Sequence, residues 1–403
     1  MRRWTFTPVA LALCTLGLAN GAAHAQFKEP DKVKIGFITD MSSLYADVEG
    51  KYGATAIQMA IDDFGGKVLG KPIELMSADH QNKADIAAGK AREWIDQQDI
   101  SLVFGGTNSA TALAMAKVAT EKKRVFVDNG AGTSVLTNEQ CSPYVVHYAF
   151  DTVALAKGTG KAVVDNGGKS WFFLTADYAF GHALEADTTK IVEANGGKVM
   201  GSVKTPLNAS DFSSFMLQAQ NSKAQILGLA NAGGDTVNSI KAAKEFGVTK
   251  DMKLAGLLIF FSDIHSLGVR NTEGLQFTTS WYWDLNAETR KFADKFMAKT
   301  KRRPSEIQAA DYSAAWNYLK AVEKAGTLEA DKVMATWKGM EINDFFGKGR
   351  IRPDGRYAHD MYLMEVKSPA ESKGTWDYYK LIKTLPADQV WTTKEESKCQ
   401  YWK

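Results

Sequence analysis

Cysteine is scarce in this chain, histidine is scattered, and no apolar run is long enough to cross a bilayer. The 403 residues hold three Cys and six His. His24, His80, His147, His182, His265 and His359 nowhere recur at the i, i+3 or i+4 spacing that sets two metal ligands on one helix face. No metal site is expected. No Gly-x-Ser-x-Gly nucleophile elbow occurs, which removes the usual secreted hydrolase. Gly168-Lys169-Ser170 lacks the earlier glycine of a phosphate loop, because Val163 stands there, and it precedes a strand instead of following one. Gly158-Thr159-Gly160 is only a fragment of a dinucleotide fingerprint. No cofactor is implied. The formal net charge of +3 falls to +1 if Arg2 and Arg3 are removed with a leader, and so balanced a chain is no nucleic-acid binder. Low-complexity linkers, charge runs and short repeats are also missing.

What is present begins with a secretion signature. Arg2 and Arg3 precede the apolar run Val9 to Leu18, and Ala23-His24-Ala25 offers small residues at a cleavage site. That run is about ten residues, against the roughly 20 a spanning helix needs. A lipid anchor at Cys14 is disfavoured by the bulky Leu13 before it. Cleavage before Gln26 leaves a soluble, exported, periplasmic chain too long for one hydrophobic core, so two lobes are expected. Cys141 and Cys399 then remain, and in an oxidising compartment they are expected to pair, the alternative being two buried thiols.

The mature chain alternates strands with helices. Val33–Thr39 reads as a strand, and Ile57, Ile61 and Phe64 then recur on one helix face. Strands follow at 72–77, 102–104 and 125–128, with helices at 84–97 and 109–121 between them. A second series runs from a helix at 153–165 through strands at 170–175, 199–205, 225–229 and 253–255, with helices at 183–195, 212–221 and 235–246. This is an α/β pattern whose parallel sheets are covered on both faces. After a strand at 275–279 come helices at 287–299 and 305–325 and a hairpin at 349–366 turning at Pro353-Asp354-Gly355. That third section is expected to have no sheet of its own and to complete the two lobes, giving a hinge of several strands.

Several loops after strands carry small hydroxyl or amide residues that lead into a helix. They are Ser42-Ser43, Asn108-Ser109, Gly130-Ala131-Gly132-Thr133 and Asn231-Ala232-Gly233-Gly234-Asp235. Ligands bind open parallel sheets outside the carboxyl ends of the strands, where helix N-terminal amides favour a carboxylate. Helix capping alone would also select Ser109 and Asp235.

With these loops placed, the sequence resembles the type I periplasmic binding proteins, in particular the family of the leucine/isoleucine/valine-binding protein of ABC transporters. The likeness rests on Val33 to Met41, Gly105-Gly106-Thr107-Asn108-Ser109-Ala110-Thr111, Val127 to Thr133 and Asp177-Tyr178-Ala179-Phe180-Gly181. It implies two doubly wound lobes closing on one small ligand, with Asn108, Ser109, Ala131 and Thr133 holding a carboxylate. Phe180 would cover the ligand with Tyr178 beside it, and Ser43, Tyr45, Asn231 and Asp235 are further candidates. Trp281, with Tyr282 and Trp283, forms either a wall for a flat ligand or hinge packing. The resemblance implies lobes at 26–148 with 281–345 and 149–280 with 346–382, and a tail at 383–403. It also implies a monomer, a membrane permease as partner and no enzymatic activity, with a soluble sensor as the alternative. Amino-acid binders of this family set an acid against the ligand's ammonium group in a segment matched here by Ala255 to Phe261, which holds no acid. An aromatic or other apolar carboxylate is therefore expected ahead of a branched-chain amino acid, unless Asp235 or Asp263 substitutes.

Overall fold

The structure is a computed structural model that describes Met1, Trp4 and residues 27–403. The expected signal segment, but for Met1 and Trp4, lies outside the described residues. The first sheet contains β1 (Val33–Thr39), β2 (Lys67–Val68), β3 (Lys71–Asp79), β4 (Leu102–Gly105), β5 (Val125–Asp128) and β6 (Val145–His147), in the order β2-β3-β1-β4-β5-β6. All its pairings are parallel except the short β2–β3 ribbon. Nearly every residue of β1, β4 and β5 is buried, as a strand covered on both faces requires. The helix Gly50–Asp63 presents Ile57 and Ile61 to this core, while Phe64 meets Trp316 edge-on at 5.2 Å.

The second sheet holds β7 (Ser170–Ala176), β8 (Lys198–Thr205), β9 (Ile226–Ala230) and β10 (Lys253–Gly256), all parallel, in the order β10-β9-β7-β8. The period-two alternation of β7 sends Trp171 and Phe173 to one core and Phe172 and Leu174 to another, which explains four large apolar residues in a row. Two such sheets, each flanked by helices, make two doubly wound α/β lobes.

The third section departs from expectation. β11 (Gln276–Thr279) joins β15 (Met361–Val366) and β16 (Tyr379–Leu385) in one antiparallel sheet, while β12 (Ile342–Asn343), β13 (Lys348–Ile351) and β14 (Tyr357–Ala358) form another. The section therefore does have sheets of its own. The expected hairpin at 349–366 is corrected too. Its turn exists, with Gly355 at φ +92° and packed so closely that a Cβ would stand 2.3 Å from the Val145 carbonyl oxygen, but it joins only β13 to β14. The chain then passes through His359 and Asp360 into β15, which fills the place between β11 and β16.

The helix expected at 183–195 starts at Ala179, directly after the extended Tyr178. The stretch 152–165 is helical but widens to a π-turn over Ala156–Gly160. There Gly158 lies so close to β11 that a Cβ would stand 2.1 Å from the Thr278 hydroxyl, so its glycine serves packing. Cys141 and Cys399 are joined by a disulfide across 258 residues, fastening the C-terminal segment to the loop before β6. Arg356 is fully buried where the chain passes between lobes, pairing with Asp151 at 3.3 Å, donating to the Phe150 carbonyl at 3.1 Å and lying over Trp391.

Candidate functional site

The carboxyl ends of the parallel strands from both sheets point at one another across a cleft. Loops after β1, β4 and β5 bring Tyr45, Thr107, Ser109, Gly130 and Gly132, and loops after β7, β9 and β10 bring Tyr178, Phe180, Ala232, Leu258 and Phe260. These ten residues line a cleft shut so far that about 10 Å³ is left free in it, room for about one water molecule. A larger depression of about 270 Å³, lined by Lys157, Asp187, Lys190, Glu396 and others, lies elsewhere. It is rimmed by solvated charges of both signs, whereas the cleft has the mainly apolar wall with few convergent hydroxyls that small-molecule sites use.

The cleft is closed. Tyr45 and Tyr178 meet hydroxyl to hydroxyl at 2.7 Å across it. Burial raises the pKa of both phenols, so both stay neutral and one donates to the other. Gly132 lies against the Phe180 ring, and Gly233 and Gly234 of the second lobe lie against Tyr45 and Leu44 of the first.

Of the residues singled out from sequence, the structure brings Tyr45, Ser109, Tyr178 and Phe180 together at this cavity. Ser109 Oγ accepts from the Thr133 backbone amide at 3.2 Å, which orients a hydroxyl whose own proton remains available to a ligand. Asn108 acts as a cap, its Oδ1 accepting from the amides of Ala110 and Thr111 at 2.6 and 3.3 Å. Thr133 Oγ1 similarly receives the Val135 amide. Ala131 is fixed behind the cleft, its amide on Asp128 and its carbonyl on the His147 ring, and Ser43 is exposed and tied to the Asp40 carboxylate. Both ends of the Asn231 amide are occupied, by Ser239 and Thr236.

Asp235 accepts from the Asn208 amide through Oδ2, while its buried Oδ1 has no partner, and burial pushes its carboxyl up to about 6. Asp263 receives the Phe260 amide at 2.9 Å, and burial raises it to about 7. Neither acid lines the cavity.

Trp281 is not brought to the cavity. Its indole donates to the Phe345 carbonyl at 3.1 Å and its ring meets Phe292 and Phe345 edge-on, so it packs the helix Ala287–Thr300. Tyr282 and Trp283 both donate to the Trp376 carbonyl. Leu258 and Phe260 were not singled out from sequence, and Thr107, Gly130, Gly132 and Ala232 were named only as parts of loops or segments and not as ligand contacts. Their shared signal is position, two to four residues beyond the end of a parallel strand.

Among the described residues no helix is long and apolar enough to cross a membrane, and no cluster of three or more His, Cys, Asp or Glu is placed to hold a metal. A periplasmic binding protein from Burkholderia mallei is 65% identical with a TM-score of 0.92, the match covering 93% of this chain and all of that one. A branched chain amino acid ABC transporter periplasmic ligand-binding protein from Burkholderia xenovorans LB400 is 38% identical with a TM-score of 0.83, over 92% of this chain and 100% of that one. A solute binding protein of an ABC transporter from Rhodopseudomonas palustris BisB5, in complex with 3,4-dihydroxy benzoic acid, is 26% identical with a TM-score of 0.80, over 89% and 98% of the two chains. The periplasmic binding protein family model matches residues 32–375, spanning both sheets and the cleft between them, and the chain belongs to that family of ABC-transporter solute-binding proteins.

Proposed function

We propose that this cleft captures a small apolar carboxylate, with an aromatic acid as the favoured ligand, and that the closed form delivers it to a membrane permease. The family binds ligands and does not transform them, so the open question is the solute. The observation that carries the reading is the second-lobe wall. Phe180, Ala232, Leu258 and Phe260 are apolar, and no acid joins them to neutralise an ammonium group. Ser109 and the start of the helix Ser109–Glu121 suit a carboxylate. The Rhodopseudomonas palustris relative holds an aromatic acid in the same architecture.

A second reading has its own observation. The unpartnered Oδ1 of Asp235, on the helix Gly234–Glu245, favours a branched-chain amino acid whose ammonium it would meet.

Closure is a hinge motion about segments near 149–151, 280–286 and 358–361. The parallel bridge of His147 with Arg356 supports giving 346–358 to the first lobe, so the first lobe takes 27–148 with 281–358 and the second 149–280 with 359–390. The chain works as a periplasmic monomer after loss of residues 1–25.

Thermal unfolding against benzoate, 3,4-dihydroxybenzoate, leucine, amides and urea tests the reading. A ligand at 100 times its dissociation constant adds about 2.7 kcal/mol. Stabilisation by aromatic acids and not by leucine supports it. Stabilisation by leucine alone replaces it with the second reading.

A further inference from the structure

Directly behind the cleft floor lie two carboxyl groups that ordinary ion pairing does not explain. Glu49 and Asp311 are both fully buried, and Glu49 Oε1 and Asp311 Oδ2 have no donor. The other oxygen of each is satisfied. Glu49 Oε2 receives the hydroxyls of Thr39 and Thr107, the latter at 3.0 Å, and Asp311 Oδ1 receives the Asn129 amide at 2.6 Å. Gly53 makes the approach possible, since a Cβ there would stand 2.5 Å from Asp311 Oδ2 and 2.9 Å from Glu49 Cγ. Gly130 separates the pair from the ligand, and a Cβ on it would lie 3.6 Å from Glu49 Oε1.

The groups facing this pair do not neutralise it. Asp40 follows β1, and Asp128 ends β5. His147 of β6 lies 3.2 Å from Asp128 and is kept neutral, its pKa lowered by burial and by Arg356, while the nearby cation, Arg356, acts on Asp128 from beyond β13. Two adjacent buried anions would repel strongly, while one proton between them satisfies both orphaned oxygens.

We propose that Glu49 and Asp311 hold a single proton between Glu49 Oε1 and Asp311 Oδ2, leaving Glu49 Oε2 as the fixed acceptor for the Thr107 hydroxyl. Thr107 lines the cavity. Its oxygen lies 2.5 Å from the Thr39 hydroxyl and accepts the Asp40 amide at 3.5 Å; with its proton committed to Glu49, the remaining lone pair faces the cleft and selects a solute carrying a hydrogen-bond donor at that end. Glu49 and Asp311 act as positioning residues. A ring hydroxyl and an ammonium group share this donor chemistry. Glu49, raised to about 7 chiefly by burial, is the first of the pair to ionise, and Asp311, raised well above 3.8 by burial and by Glu49, keeps the remaining proton above neutral pH.

The inference rests on the cleft being the ligand site, and the test separates the two. Titration calorimetry compares 3,4-dihydroxybenzoate with benzoate, and leucine with its 2-oxo acid, for wild type, E49Q, D311N and T107V at about pH 6 and about pH 8.5. In wild type the donor-bearing member of the binding pair is expected to bind about tenfold tighter than its partner at the higher pH, where the pair holds one proton, and to lose most of that preference at the lower, where Glu49 is protonated as well. The winning pair identifies the donor. T107V should lose the preference at both values, and E49Q and D311N, whose amides replace the shared proton with a permanent donor, should show the same preference at both. A preference that survives T107V, or a pH response in E49Q matching wild type, overturns the proposal. If no solute binds, the cleft reading fails, and the pair is judged by ligand-free unfolding across the same pH values. A pH response flattened in E49Q supports the shared proton, and one equal to wild type refutes it.

Discussion

Replacing Gly132 with alanine tests closure while sparing the fold. The added Cβ would stand 2.7 and 3.0 Å from two carbons of the Phe180 ring and 3.2 Å from Phe150. Ordinary contact begins near 3.4 Å, so the lobes or the ring must give by roughly 0.7 Å. Phe180 is 2% exposed, and its ring lies 6.1 Å from that of Tyr178, which leaves little room to retreat. Overpacking of this kind costs about 1–3 kcal/mol. Because the main clash is between residues of different lobes, the cost falls on the closed state, and ligand affinity should drop about 5- to 150-fold. The open, ligand-free protein should unfold at the wild-type temperature, since Gly132 is not in the left-handed region that only glycine tolerates. Titration calorimetry reads the first quantity and ligand-free thermal unfolding the second. Undiminished affinity, or a lowered ligand-free melting temperature, would refute the reasoning.

Tyr178→Phe removes the hydroxyl contact across the cleft and leaves Tyr45 without its partner, so ligand release should speed up about 5- to 100-fold, measurable by stopped-flow fluorescence. Cys399→Ser should lower stability by about 2–5 kcal/mol in denaturant titration, and a reducing agent should produce the same change in wild type and none in the variant. Glu306, raised by burial from 4.5 to about 8, binds a proton in the folded chain across a range where the unfolded chain does not. Its contribution is fully present below about pH 4.5 and is lost as pH rises to about 8, at up to about 1.4 kcal/mol per unit. Glu306→Gln should flatten that part of the pH dependence in denaturant titrations.

The alternation of strand and helix was legible because each element carries its own periodicity. β7 illustrates this, since four consecutive large apolar residues signal burial on both faces wherever the strand ends up. The candidate site was legible in outline, because residues just past the ends of parallel strands must converge, which picked the loop of Ser109, while Tyr178 and Phe180 came from the family resemblance and Tyr45 was a further candidate beside it. Hydrogen-bonding allegiance was not legible. Asn108 and Asn231 have the right chemistry for a ligand, but their side chains serve their own helices, and a local sequence is the same either way. Trp281 illustrates a second limit, because its neighbours Phe292 and Phe345 are fixed only by tertiary packing. The same holds for Glu49 and Asp311, which are far apart in sequence and meet only because Gly53 lets one helix lie against another.

The helix Glu306–Ala325 packs on Gly50–Asp63 and covers the core that includes Ile57 and Ile61. Its partner helix is made some 250 residues earlier. During synthesis from the N terminus, the first lobe therefore carries an uncovered apolar flank until most of the chain exists. An incomplete chain therefore cannot close the first lobe's core, and the folding of that lobe waits on a segment from the last third of the sequence.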